Sequence, residues 1–93
     1  MNITLIGKPI QKQIKRERSS EGVVSRTLIV LCKDTERNGT FTVYITQDTT
    51  YMYEELFSSI DEEFTFSGYL TKDNKFIAKH IVSPSMGCIY RTV

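Results

Sequence analysis

Apolar residues alternate with polar ones in several short runs along these 93 residues, and a helical period interrupts that alternation only once. Ile3-Thr-Leu-Ile6 opens the first strand, and Gly7 and Pro9 behind it permit a bend or bulge. Residues 10–18 alternate loosely, with Ile10 and Ile14 among Gln, Lys and Arg, so the first strand is expected to be long, curved and solvated on one side. Ser19-Ser-Glu-Gly22 reads as a turn, and residues 23–32 as a β-branched second strand. Asn38-Gly39 is a hairpin signal. Strict alternation follows over 40–46, placing Phe41, Val43 and Ile45 on one side and Thr42, Tyr44 and Thr46 on the other. Past Asp48 the period changes. Tyr53, Leu56, Phe57 and Ile60 recur at i, i+3, i+4 and i+7, one face of a short helix. Asp48, Thr49 or Thr50 can cap its first amides, and Glu54 and Glu55 suit its positive end. Strands resume at 62–70, with Phe64, Phe66 and Leu70 on one face and Thr65 and Tyr69 on the other. Lys72-Asp-Asn-Lys75 forms a hairpin tip, and Phe76–Val82 returns. Pro84 ends that strand, leaving 85–93 as a short extra strand or a loose tail.

The order is β-β-β-α-β-β. A helix between the third and fourth of five antiparallel strands predicts a five-stranded OB-fold barrel, all-β apart from that helix. The rival is an SH3-like barrel, which usually lacks such a helix. One domain is expected over 1–83, with 84–93 as a C-terminal extension. A chain this short buries only about 60% of its unfolded surface, so the core must be thin. No apolar run approaches the roughly 18 residues of a membrane span, and the N-terminus does not read as a signal peptide. Cys32 and Cys88 form no CxxC pair and, with His80, supply too few ligands for a metal site. Both read as reduced thiols of a cytoplasmic protein with no cofactor.

Net charge is +1, but its distribution is uneven. Residues 1–40 carry eight Lys/Arg against four acids, 41–70 carry six acids and no base, and 71–93 carry four bases against one acid. If the outer segments meet, one face is basic and the opposite one acidic, a field suited to a polyanion. The alternative is chance clustering on a solvated surface.

Asn2-Ile-Thr-Leu-Ile-Gly-Lys8, then Ser20-Glu-Gly-Val-Val-Ser-Arg-Thr-Leu-Ile-Val30, resembles the opening of bacterial-type single-stranded DNA-binding proteins. Glu55-Leu-Phe57 and Phe64-Thr-Phe-Ser-Gly-Tyr-Leu70 look like that family's helix end and fourth strand. The likeness is diffuse, spans roughly residues 2–83, and extends to a primosomal replication protein of the same superfamily. It implies an OB fold, single-stranded DNA as ligand, and dimers or tetramers. The chain departs from the family in lacking tryptophan, in a short loop after the second strand, and in ending at Cys88-Ile-Tyr-Arg-Thr-Val93 without an acidic tip. That puts recruitment of replication and repair enzymes through such a tip in doubt, and suits a compact version encoded by a mobile element.

Sequence-independent strand binding needs cations that follow phosphates and flat rings on which bases stack. Tyr44 and Tyr69 point outward from their strands and are the candidate platforms, or else surface tyrosines lying on their neighbours. Phe76 either stacks or anchors its hairpin. Arg26 interrupts an apolar strand where burial is expensive, so it is expected in the groove, or else at an edge beside an acid. Lys15, Arg16 and Arg18 lie on the first strand and its loop, and Lys33, Arg37, Lys72 and Lys75 on hairpins. Each alone is an ordinary solvated charge; the interleaving with rings carries the expectation. No Ser-His-Asp set and no Gly-rich phosphate loop can be assembled, and the acids at 61–63 read as a solvated cluster. The expected protein is therefore a non-enzymatic, oligomeric single-stranded DNA binder of replication or recombination. The alternatives are an accessory subunit docking a helicase, primase or polymerase, and an RNA-binding OB module. Ile89 and Tyr90 offer part of a subunit interface.

Overall fold

The computed structural model describes residues 2–46 and 61–92. Among these residues the regular structure is six strands: β1 (Asn2–Arg18), β2 (Val24–Asp34), β3 (Thr40–Ile45), β4 (Phe64–Leu70), β5 (Phe76–Ser83) and β6 (Gly87–Arg91). The expected helical face of Tyr53, Leu56, Phe57 and Ile60 lies outside the described residues. Of the two readings of the C-terminal stretch, the extra strand holds, as β6. No helix among the described residues is long and apolar enough to cross a membrane.

The strands form one sheet in the order β3-β2-β1-β4-β5-β6. β3 also pairs with β5, in parallel, through Val43↔Phe76 and Tyr44↔Ile77. That pairing closes five strands into a ring. β6 joins β5 further along, opposite residues 80–83.

The length of β1 makes closure possible. Its first part, Asn2 to Gly7, pairs with β4, and Gly7 to Arg18 pairs with β2. The register slips between Pro9 and Gln11, which leaves Ile10 bulged out and 56% exposed. The expected bend therefore falls one residue beyond Pro9, which lacks the N–H that a regular ladder needs. Gly7 belongs to both ladders. A Cβ there would stand 2.6 Å from the Phe41 ring and 2.7 Å from the Lys33 carbonyl oxygen. The missing side chain lets Phe41 meet Phe66 edge to face, with centroids 5.9 Å apart.

The alternation read from the sequence sorts the core. Leu28, Val30 and Cys32 of β2, Val43 and Ile45 of β3, and Phe64 and Phe66 of β4 are fully sealed. Phe76, Ala78 and Ile81 of β5 and Tyr90 of β6 complete the core, with Ile3, Leu5, Ile14 and Phe41 against it. Burial pushes the Cys32 thiol up to about 12, so it stays neutral, and both cysteines are free. Leu70 departs from its expected place with Phe64 and Phe66. It stands 46% exposed at the end of β4, where Gly68 occupies the inward position before it.

The acids at 61–63 do not act as one cluster. Asp61 pairs with Lys8 at 2.5 Å. Glu62 accepts hydrogen bonds from the Ser83 hydroxyl at 2.6 Å and from the Ser85 hydroxyl. Ser83 Oγ also accepts from the backbone N–H of Met86 at 3.2 Å, so one carboxylate ties the start of β4 to the β5–β6 turn. These hydroxyl donors hold Glu62 below its usual carboxylate range. A depressed folded-state value means that this contribution to stability is complete above about pH 4.3, the ordinary Glu value, and is lost as pH falls through the folded value. Ser83→Ala should therefore flatten the acid limb of a plot of melting temperature against pH. An acid limb as steep as that of the unmodified protein would remove Glu62 from the acid response.

Candidate nucleic-acid interface

Cross-strand registers place side chains on the outer surface of the ring as firmly as they place the core. Gln13 of β1 lies opposite Ile29 of β2, which lies opposite Tyr44 of β3. Tyr44 is paired with Ile77 of β5, and Ile77 with Tyr69 of β4. Directly paired residues point to the same side of a sheet. The row Gln13–Ile29–Tyr44–Ile77–Tyr69 is thus one continuous outward band. Strands are spaced by about 4.8 Å, so Tyr44 and Tyr69 stand about 10 Å apart with Ile77 as a shelf between them.

A cation sits over each ring. Lys75 Nζ is 5.5 Å from the Tyr44 centroid, and Lys79 Nζ is 5.6 Å from that of Tyr69. Both distances suit cation–π attraction. The turn before β5 fixes Lys75. Its N–H reaches Thr71 Oγ1 at 3.1 Å, its carbonyl accepts from Thr71 N–H at 2.9 Å, and Asn74 supplies the left-handed φ of 62° that the turn needs. Asparagine tolerates that conformation better than most side chains. Lys72 projects from the same turn and is exposed.

Two depressions share Thr42 as a wall, and Tyr44 lines the larger of them. One, of about 210 Å³, runs over Gln11, Gln13, Ile29 and Leu31. The other, of about 530 Å³, reaches from Tyr44 to Leu70, Asn74 and Lys75. Together they make a shallow trough across the strands rather than a closed pocket.

The structure gathers Tyr44, Tyr69, Lys72 and Lys75 from the expected set. Lys15 pairs with Thr27 next to the Gln13–Ile29 rung, on the same outer face, and holds Glu17 at 3.1 Å. Phe76 is a correction: it is only 4% exposed and packs in the core, so it anchors the hairpin and offers no face to a base. Arg26 is another. It shares its face with Leu28, the inward side, and lies opposite Arg16. It is exposed: β3 ends at Ile45, opposite Leu28, and among the described residues β1 and β2 run on past it as a two-stranded arm. Arg16 and Arg18 share that side of the arm, turned away from Tyr44. Lys33 points outward but lies four residues from Ile29, roughly 13 Å along the strand. It borders a recess with Lys8, Asp34, Glu36 and Glu63, and Arg37 occupies the adjoining turn. Neither joins the tyrosines.

Sequence reasoning missed Ile29, Ile77 and Lys79. In β2 the unbroken run Leu28-Ile-Val-Leu-Cys32 hides which residues face out, and Arg26 gave the opposite parity. In β5 the signal was present, since Ile77 and Lys79 alternate with Phe76 and Ala78. Among the described residues no group of His, Cys, Asp and Glu is placed to hold a metal ion. Comparison with family models, with curated proteins and with solved structures gives no match for the chain.

Proposed function

We propose that this chain is an OB-fold protein that binds single-stranded DNA without sequence preference, in replication or recombination. The ring order supports the fold: five strands, a long first strand shared by both halves, and a parallel closure between the third and fifth. Apart from Glu55–Phe57, which lies outside the described residues, the stretches that resemble single-stranded DNA-binding proteins fall on β1, on β2 with the turn before it, and on β4, the strands that carry Gln13, Ile29 and Tyr69.

The observation that carries the function is the pair of outward tyrosines, each with a lysine at its ring, on either side of the Ile77 shelf. Rings supply stacking that accepts any base, and lysines beside them meet the phosphates that join stacked bases. The shallow trough leaves room for an extended strand. A duplex keeps its bases paired and stacked inside, so it cannot use the rings.

A fluorescence-anisotropy titration with single- and double-stranded oligomers at two salt concentrations tests this. The single strand should bind more tightly, and its log affinity should fall with log salt by about 0.7 for each phosphate contacted. Equal affinity for the duplex would remove the rings from recognition. Tight, salt-insensitive capture of a replication enzyme without oligonucleotide binding would favour the docking subunit instead.

A further inference from the structure

The arm formed by β1 and β2 beyond the barrel has two unlike faces. The outer face carries Lys15, Glu17, Ser25 and Thr27 and continues the band that holds Tyr44. The other face carries Arg16, Arg26 and Arg18, with Val24 opposite Arg18. All three arginines are exposed, and Val24 is 47% exposed. The ion pairs Lys8–Asp61 and Lys15–Glu17 lie off this face, and among the described residues no acid pairs with its arginines.

Arg16 and Arg26 are direct cross-strand partners. Like charges opposite one another destabilise a ladder. Among the described residues no third strand pairs with the ribbon at this point, and a third arginine follows two residues on, about 7 Å along. Such a cluster becomes favourable when an anion lies across it. Guanidinium forks match phosphate oxygens in two-point hydrogen bonds. The Tyr44 and Tyr69 rings lie on the other side, so what this face offers is guanidinium donors for phosphodiester oxygens.

We propose that the arginine face of the arm is a second phosphodiester-binding site, which takes a second strand while the tyrosine band holds the first. This rests on the reading of the tyrosine band as a single-strand site. One protein molecule then brings two strands together, and complementary strands anneal faster in its presence. The second backbone can belong to a single strand or to a duplex, since both present the same phosphates.

The test pairs two variants from opposite faces of one ribbon, Arg16→Gln/Arg26→Gln and Lys15→Gln. Each is measured for affinity to one labelled single strand, for energy transfer between two non-complementary single strands with different dyes, and for energy transfer between a single strand and a duplex. The double arginine variant should keep single-strand affinity within about twofold and lose most of the energy transfer. Lys15→Gln should weaken single-strand affinity severalfold while saturated complexes still bridge. Loss of single-strand affinity in the arginine variant, in step with bridging, would merge the two faces into one site and overturn the proposal. Unchanged bridging in that variant would overturn it as well. Transfer only in the duplex arm would assign the second backbone to duplex, and transfer in the single-strand arm to a second single strand. Arginine-dependent duplex binding without any single-strand binding would keep this site and sink the tyrosine reading, whereas no binding of either would sink both.

Discussion

Replacing Tyr44 and Tyr69 together by alanine should lower affinity for a single-stranded oligomer by about 30-fold to 10⁴-fold. Each stacked ring contributes about 1–3 kcal/mol, and about 1.4 kcal/mol is tenfold. Both side chains point away from the core, so the barrel should keep its melting temperature within a few degrees. Tyr→Phe at both positions should restore most of the affinity, because stacking uses the ring and not the hydroxyl. The ratio of affinities between variant and unmodified protein should stay nearly constant with salt, since no cation is removed. Lys75→Gln should do the reverse, with a modest loss that disappears at high salt. Lys75 also lies 5.5 Å from the Tyr44 ring, so the two losses will not simply add. Anisotropy titrations at three salt concentrations measure all of these. Full affinity in the double alanine variant would show that bases do not stack on this face.

The parts of this picture that were legible in the sequence follow local rules. Strand positions follow from alternation, and the long bent β1 follows from Gly7 and Pro9. Tyr44 was placed outward because Val43 and Ile45 alternate cleanly around it. What misled was the assumption that a strand lies within the barrel over its whole length. Arg26 has inward parity, yet it is exposed, and among the described residues β2 outruns its neighbour there. No pattern inside β2 shows where β3 stops. Phe76 stayed ambiguous for a related reason: a hairpin residue is assigned to core or surface by what it meets, and Val43 is far away in sequence. The charge blocks were informative only in part. Lys75 and Lys79 meet the rings, with Lys72 exposed on the same turn as Lys75, but Lys33 and Arg37 sit at a turn with Asp34 and Glu36, and the three arginines of the arm face elsewhere. A tally of charge over a segment cannot distinguish alternating faces of one ribbon. The expected helix, with Glu54 and Glu55 of the acidic middle segment, falls outside the described residues.

Gly68→Ala should abolish the closed barrel, and with it both the fold and the tyrosine band. A Cβ at Gly68 would stand 1.9 Å from the Ile77 carbonyl oxygen, 2.9 Å from its carbonyl carbon and 3.0 Å from Ala78 Cα. All three are backbone atoms, so no rotamer change relieves the clash. β4 and β5 would have to part at this point, where the ladder already slips between Ser67 and Gly68. That ladder is one of the five seams of the ring, and β5 carries the parallel closure to β3 at Phe76 and Ile77, directly beside it. Displacing Ile77 also separates Tyr44 from Tyr69. A domain of this size has on the order of 5–14 kcal/mol of stability in total, and a clash confined to backbone belongs with the rare substitutions that remove more than about 4 kcal/mol. Gly39→Ala is the matched control, since a Cβ there meets nothing within 4 Å, and it should change stability by no more than about 0.5 kcal/mol. Denaturant unfolding of the two variants side by side separates them. A Gly68→Ala protein within about 1 kcal/mol of the unmodified one would mean that β4 and β5 do not approach as closely as the ring requires, and the Tyr44–Ile77–Tyr69 row would lose its geometric basis.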